Sequence, residues 1–558
     1  LVLQIIFGEK MKKNLLGSIL VLTFLFPSLA LAQTAVKITP QERKMADMIT
    51  AAQLKDYLYY VASDEMGGRD TPSQGLDLTA KFIGTMLSRW GFKPAGDNGT
   101  FFQKIDLHRD IVSPASTTVT LGGQTLSYGT DYFANPAGGT IANAPMVFGG
   151  EGWMYKAKGI EPYKNVDVRG KIVVIYTGNF PRGVNPQELF TSGKRGEAWA
   201  DPMTYAKQNG AVGVIAIATP DVEKNWQMIR PLRERSGYSV DKLQEAENKQ
   251  LPTIYISRKT AEALFQGESN DFSKINEIFG STASLPTFNL SADKTASVSV
   301  VASTEKATTQ NVVAIWEGSD AVLKNEYVAL GAHYDHVGTN PNARSDDKIW
   351  NGADDDGSGT VAVLSIAETL AKTPKRPKRS VLFVWHCGEE KGLWGSEYFN
   401  KFPTVDIKNV VTQLNIDMIG RSRKPDNTDK RNAELSGEND IYVIGSEMMS
   451  STLGAITKGT NDAYLKLGYD YRYDDPKDKN RFFFRSDHFN YAHNGIPIVF
   501  WFDGVHEDYH QPGDEAQKID YTKMEKITRT IFLTLWEVTD LKTRPAIDKQ
   551  LPPELTQR

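Results

Sequence analysis

Between residues 310 and 540 the chain alternates two rhythms of apolar and polar positions. Continuous apolar runs of strand length fall at Tyr327–Ala332, Ser380–His386, Val410–Ile416, Ile441–Ile444 and Ile496–Phe502. Among them, Ser358–Ala371, Ser450–Leu467 and Tyr521–Thr539 carry apolar residues at helical spacing. A strand that is apolar at every position is buried on both faces, and intervening helices supply the cover. The pattern therefore predicts an α/β fold with a largely parallel sheet between helices. Ligands of such sheets sit beyond the carboxyl ends of the strands.

Upstream, residues 40–95 read as two helices. Gln41–Ala62 places Met45, Met48, Ile49, Leu54, Leu58 and Val61 on one face, and Thr79–Trp90 does so with Phe82, Ile83, Met86 and Leu87. A polar turn at 63–70, with Gly67 and Gly68, separates them. Residues 115–300 change character. Short apolar runs at Val119–Leu121, Ile172–Tyr176, Val212–Ile217 and Ile254–Ile256, with a helix at Pro202–Asn209, predict a small mixed α/β insert. It holds few histidines or clustered acids, so no catalysis is expected from it. The predicted division is 1–32 as a leader, 33–130 and 301–545 as two parts of the main domain, 131–300 as the insert and 546–558 as a tail.

The leader has a recognisable form. Basic Met11-Lys12-Lys13-Asn14 precedes an apolar stretch from Leu15 to Leu31, which ends in Ala30-Leu31-Ala32. That is the pattern of a secretory signal cleaved before Gln33. Its strongly apolar part, Ile19–Phe26, is shorter than the ~20 residues that span a bilayer. The residue just after Ala32 is Gln33 and not a cysteine that could carry a lipid. The expectation is an exported chain, periplasmic or secreted, with no stable membrane anchor after cleavage.

Lys plus Arg number 64 against 68 Asp plus Glu, so there is no basic excess and no nucleic-acid partner is expected. The single cysteine, Cys387, excludes an intrachain disulfide. The run Pro374–Arg379 is basic and reads as a solvated turn between helix and strand. Nothing in the pattern sets an oligomeric state.

Histidine changes the picture, because seven of the eight fall between His333 and His510. His333-Tyr334-Asp335-His336 follows the first strand of the main domain. Gly352-Ala-Asp-Asp-Asp-Gly-Ser-Gly359 precedes the next helix. His386-Cys387-Gly388-Glu389-Glu390, Asp417 and the segment from His506 to Asp514 follow the later strands. Five acid or histidine clusters thus converge on one rim. Burying that much negative charge is costly unless cations offset it. Imidazole mixed with carboxylate suits zinc, and more than four ligands suggest two ions.

In these motifs the chain resembles the co-catalytic zinc exopeptidases, the family of bacterial leucyl aminopeptidases and glutamate carboxypeptidase II. The matching pieces are Gly331-Ala-His-Tyr-Asp335, the 352–359 segment, Gly388-Glu-Glu-Lys-Gly-Leu-Trp-Gly-Ser396, Asn415-Ile-Asp417, Ser486-Asp-His488 and Tyr509-His-Gln-Pro-Gly-Asp514. The insert resembles a protease-associated (PA) domain through Val168–Ile175 and Lys207–Ile215. The resemblance implies a three-layer sheet of the phosphorylase/hydrolase-like kind and two Zn2+ per chain, with Co2+ or Mn2+ as substitutes. It implies that His333 and Asp417 bind one ion, Glu390 and His510 the other, and that Asp355 bridges. Asp335 would hold the His333 imidazole, Glu389 would be the general base and Tyr509 would steady the oxyanion. Arg485, Phe484 and Phe502 are candidates for the substrate pocket. The implied activity is aminopeptidase action on peptides through metal-activated water. The alternatives are a carboxypeptidase or dipeptidase of the same family, with Arg481 and Arg485 reading a free carboxylate; a single-zinc glutaminyl cyclase; and a non-enzymatic binding protein like the transferrin receptor.

Overall fold

The computed structural model describes residues 36–243 and 250–556. The expected leader, with Met11 and the Ala30-Leu31-Ala32 site, lies outside the described residues. Among the described residues no helix is long and apolar enough to cross a membrane.

Four parallel strands form the centre of a ten-stranded sheet, in the spatial order Ser380–His386, Tyr327–His333, Val410–Ile416, Ile498–Phe502. Alternate residues of one strand enter different cores. Val381, Phe383 and Trp385 face the helices Ala51–Val61, Gly359–Lys372 and Tyr521–Thr539. Leu382 and Val384 face the helices Trp394–Lys401 and His488–His493. The sheet is therefore covered on both sides.

Its flanks are antiparallel, which the apolar runs do not announce. Asp440–Ile444 pairs antiparallel with Ile498–Phe502. On the other side Phe102–Val112 pairs along its whole length with Ala302–Trp316, from Phe102 opposite Val312 to Val112 opposite Ala302. The chain leaves the main domain after Val112 and returns at Ala302, so the two ends of the insert are neighbours; between them Ser239–Val240 comes back to pair with Leu107 and His108 at the edge of the main sheet. That closure lets a second domain be spliced in without distorting the first.

The insert builds its own nine-stranded sheet around parallel Ile172–Ile175, Gly213–Ile217 and Thr253–Ile256. It already takes in Thr118–Leu121, upstream of the expected start at 131, and its strand Thr295–Val300 closes it.

Two local expectations change. The helix expected over Gln41–Ala62 is two helices, Pro40–Ala46 and Ala51–Val61. Thr50 caps the second by accepting from the Gln53 amide at 3.2 Å, and that capped start overrides the continuous apolar period. The basic run is not wholly solvated: Arg379 is buried and pairs with Glu326 at 2.7 Å.

Candidate metal centre

Strand register aligns the candidate residues. His333 ends its strand directly beside His386, and Gly331 lies opposite Asn415, which brings Asp417 level with His333. Glu389 and Glu390 follow His386 in the loop that leads to the helix Trp394–Lys401.

One acid of the triplet faces the centre. Asp354 turns its Oδ1 to the Gly420 amide at 2.7 Å, and Asp356 accepts from the amides of Gly359 at 2.9 Å and Met418 at 3.1 Å. Asp514 accepts from the amides of Asp354 and Asp355 at 3.0 Å each, which fixes the backbone of the triplet. Asp355 is left between two histidines: Oδ1 is 3.3 Å from His333 Nε2 and Oδ2 is 3.0 Å from His510 Nε2. His333 Nε2 is also 3.6 Å from Asp417 Oδ2, and His510 Nε2 is 3.1 Å from Glu390 Oε2.

A residue without a predicted role joins the second group. His336 Nδ1 is 2.8 Å from Glu390 Oε1 and 3.8 Å from Asp355 Oδ2. Its position three residues after His333 is the one signal in the sequence, and that spacing alone does not tell a ligand from a core histidine. The two converging sets are His333, Asp355 and Asp417, and His336, Asp355, Glu390 and His510; within each the ligand atoms lie within 4.8 Å of one another.

Their orientation fits a metal better than mutual hydrogen bonds. Asp355 Oδ2, Glu390 Oε1, His336 Nδ1 and His510 Nε2 are buried and make no hydrogen bond. Yet each has an opposite number at 2.8–3.0 Å. Buried polar atoms are normally paired, and atoms that crowd without pairing are aimed at a shared point. The electrostatics agree. Burial opposes charge on His510, yet the Asp355 and Glu390 carboxylates hold its pKa up at about 10. Burial also opposes charge on His333, yet Asp417 and Glu389 hold it well above the usual range. At both of these histidines the surrounding carboxylates stabilise positive charge.

Around the two sets the supports differ from expectation in detail. Asp335 reaches His333 Nδ1 through its backbone carbonyl at 3.1 Å, with its carboxylate at 3.7 Å; that carboxylate accepts from the Glu389 amide at 3.1 Å. Glu389 belongs to neither converging set, and its Oε2 is 4.0 Å from His333 Nε2. Burial, reinforced by Glu390, Asp417 and Asp487, pushes its carboxyl well above the usual range. The Tyr509 ring stacks on His510 at 4.0 Å, and its hydroxyl accepts from Arg485 Nη2 at 3.1 Å. Burial raises the Tyr509 pKa, so the hydroxyl keeps its proton.

Other expected parts lie elsewhere. Phe484 and Phe502 are 5% and 4% exposed and pack in the hydrophobic cluster under the rim, so they are core and not an open pocket wall. Arg481 is exposed and lies over the Phe484 ring. His506-Glu507-Asp508 is tied down by protein cations: Arg421 bonds Asp508 at 3.0 Å and Glu507 at 3.2 Å, and Lys518 bonds Asp508 at 2.9 Å. His488 is buried against the Phe500 ring, with its pKa pushed down to about 3 by burial. Arg69, fully buried beneath the rim, donates to the carbonyls of Val61, Tyr334, Asn351 and Gly352. No local pattern marks that role.

Comparison with known proteins adds the family. Residues 311–535 match the model of Peptidase family M28, and residues 129–264 match the PA domain. Part of the chain is 28% identical to leupeptin-inactivating enzyme 1 of Streptomyces exfoliatus, over 42% of this chain and 44% of that protein. It is also 28% identical to a probable leucine aminopeptidase of Arthroderma benhamiae, over 38% of this chain and 54% of that protein. It is 26% identical to a probable zinc metalloprotease of Leptosphaeria maculans, over 42% and 58%. The chain thus spans about half the length of the curated relatives it matches. Each of the eight residues given a metal or catalytic role in the sequence lies within the stretch 311–535 that matches the M28 model.

Proposed function

We propose that this chain is an exported aminopeptidase that holds two zinc ions and hydrolyses the first peptide bond of peptides with a free amino end. The observation that carries the reading is Asp355, whose two oxygens face two separate groups of nitrogen and oxygen donors, with Glu389 beside them and in neither. His333 and Asp417 would hold one ion, Glu390 and His510 the other, and Asp355 both. Zinc is favoured by the donor set and by the metalloprotease relative. When bound, such ions polarise a carbonyl and lower the pKa of water.

The chain's own groups supply the rest. Glu389, its amide held by Asp335, accepts a proton from the attacking water. The water oxygen bonds to the peptide carbon, and the C–N bond breaks as the proton passes from Glu389 to the leaving amine. Tyr509, whose oxygen accepts from Arg485, keeps its own proton free to donate to the oxyanion. The carboxylate excess of the rim attracts the substrate's ammonium group. The PA insert shapes access and takes no part in the chemistry.

A panel of matched peptides, free and N-acetylated, with products identified by mass spectrometry, tests this. Release of the first residue from free peptides only is expected. Cleavage of acetylated peptides at equal rate, or release of the last residue, would overturn it in favour of a carboxypeptidase.

A further inference from the structure

The two donor groups that share Asp355 are unequal. Three side chains converge on the His333 side, and four on the side of His510. The difference is His336.

His336 is fully buried, and neither ring nitrogen makes a hydrogen bond. Nδ1 nevertheless lies 2.8 Å from Glu390 Oε1. The ring stands edge to face with that of His510, with centroids 5.5 Å apart and planes at 77°. The two imidazoles therefore approach the same two carboxylates from different directions. A buried imidazole left unpaired is unfavourable, and one aimed at a cation is not.

The surrounding chain is shaped to keep this ring in place. Gly352 sits at a φ of +57°, and a Cβ there would meet His336 Cγ at 2.4 Å and Cδ2 at 2.5 Å. Any side chain at 352 would drive the imidazole from its position. The His336 amide donates to the Arg69 carbonyl at 3.2 Å, and the Arg69 guanidinium bonds the carbonyls of Tyr334, Asn351 and Gly352. One buried arginine thus ties together the segments on both sides of the ring.

We propose that His336 is a fourth protein ligand, which closes one metal position while the other keeps three protein ligands and an open place. The proposal rests on the two-ion reading above. Four protein ligands make a closed, structural position, and three leave room for water or substrate. The placement of Glu389 agrees with that division. Its Oε2 lies 4.0 Å from His333 Nε2, so the proton acceptor stands at the position with room for a reacting group. The two ions then differ in affinity: the first fills the His336 position, and the second fills the His333 position more weakly.

The test uses the whole chain, stripped of metal and titrated with zinc against a chromophoric chelator. X-ray absorption at one equivalent counts the imidazoles on the first ion. Two ions per chain, taken up in two resolved steps, are expected. The first ion should carry two imidazoles, which needs no variant. His336→Ala should weaken the tighter ion by about 100-fold or more, while thermal melting checks that it folds. His333→Ala should remove the weaker ion and spare the tighter one. Fewer than two ions on the wild type would overturn the two-ion reading itself. Two ions with a single imidazole on the first, or an unchanged tighter ion in a folded His336→Ala, would overturn the role of His336 alone.

Discussion

The main sheet and the insert both rest on short parallel strands that are buried at nearly every position, but the residues at their strand ends are used differently. In the insert, Thr219 and Ser257 come just after strands and cap the next helices, accepting from the amides of Val222 at 3.4 Å and Thr260 at 3.2 Å. A helix cap satisfies a polar group within three residues, and no demand is left over. In the main sheet the strands run out into His333, Glu389, Glu390 and Asp417, and several of the oxygens and nitrogens gathered there stay unpaired. Similar strand burial thus supports a self-contained domain in one case and an unmet electrostatic demand in the other. That demand is what a bound cation would meet.

The comparison is broken most directly by removing metal. Dialysis against a chelator should abolish peptidase activity, and added zinc or cobalt should restore it. Full activity in a preparation verified as metal-free would mean that the rim's unpaired donors have no part in the reaction.

Next in size is the contrast between the adjacent glutamates. Glu389→Gln keeps shape but cannot accept a proton, so turnover should fall about 10²–10⁴-fold with metal content unchanged. Glu390→Gln should lose metal, and excess zinc should partly rescue its activity. Metal analysis beside turnover checks both, and loss of metal from Glu389→Gln alone would exchange the two roles.

A core substitution in the insert should leave the rim untouched. Phe148 is fully buried and packs against the rings of Phe265 and Phe288. Phe148→Ala should destabilise the insert by about 3–5 kcal/mol, read as faster hydrogen exchange there, with metal binding as in the wild type. Metal loss from this variant would show that the two regions are not independent.

The smallest effect concerns a half-buried acid outside the rim. Burial raises the Asp474 pKa from 3.8 to about 7, although its carboxylate accepts from the Gly445 amide at 2.7 Å. Between those values the folded chain holds a proton that the unfolded chain lacks, so this group's stabilisation is lost as pH rises through 7. Asp474→Asn should flatten that part of the slope. Melting temperatures of both proteins between pH 5 and 8 check it, and parallel curves would exclude the contribution.

Much of the rim was legible from the chain because its signals are local. An apolar run predicts a buried strand, and the acid or histidine just after it lies at that strand's end in any parallel sheet. His333, Glu389, Glu390 and Asp417 are readable in this way, and the motif resemblance added Asp355 and His510. The flanking acids of the triplet were less legible. Asp354 and Asp356 differ from Asp355 through the backbone amides of Gly420, Gly359 and Met418 that they accept.

By itself the sequence determined which segments are buried strands, which are amphipathic helices, and which residue types stand at the strand ends, since each depends on neighbours a few positions away. Tertiary structure alone decided the antiparallel pairing of Phe102–Val112 with Ala302–Trp316, the packing of Phe484 and Phe502 into the core, the buried Arg69 beneath the rim, and the place of His336 beside Glu390. Each of these depends on groups distant in the chain. The His336 ring, for one, is where it is because Gly352 has no side chain and Glu390 arrives from another strand.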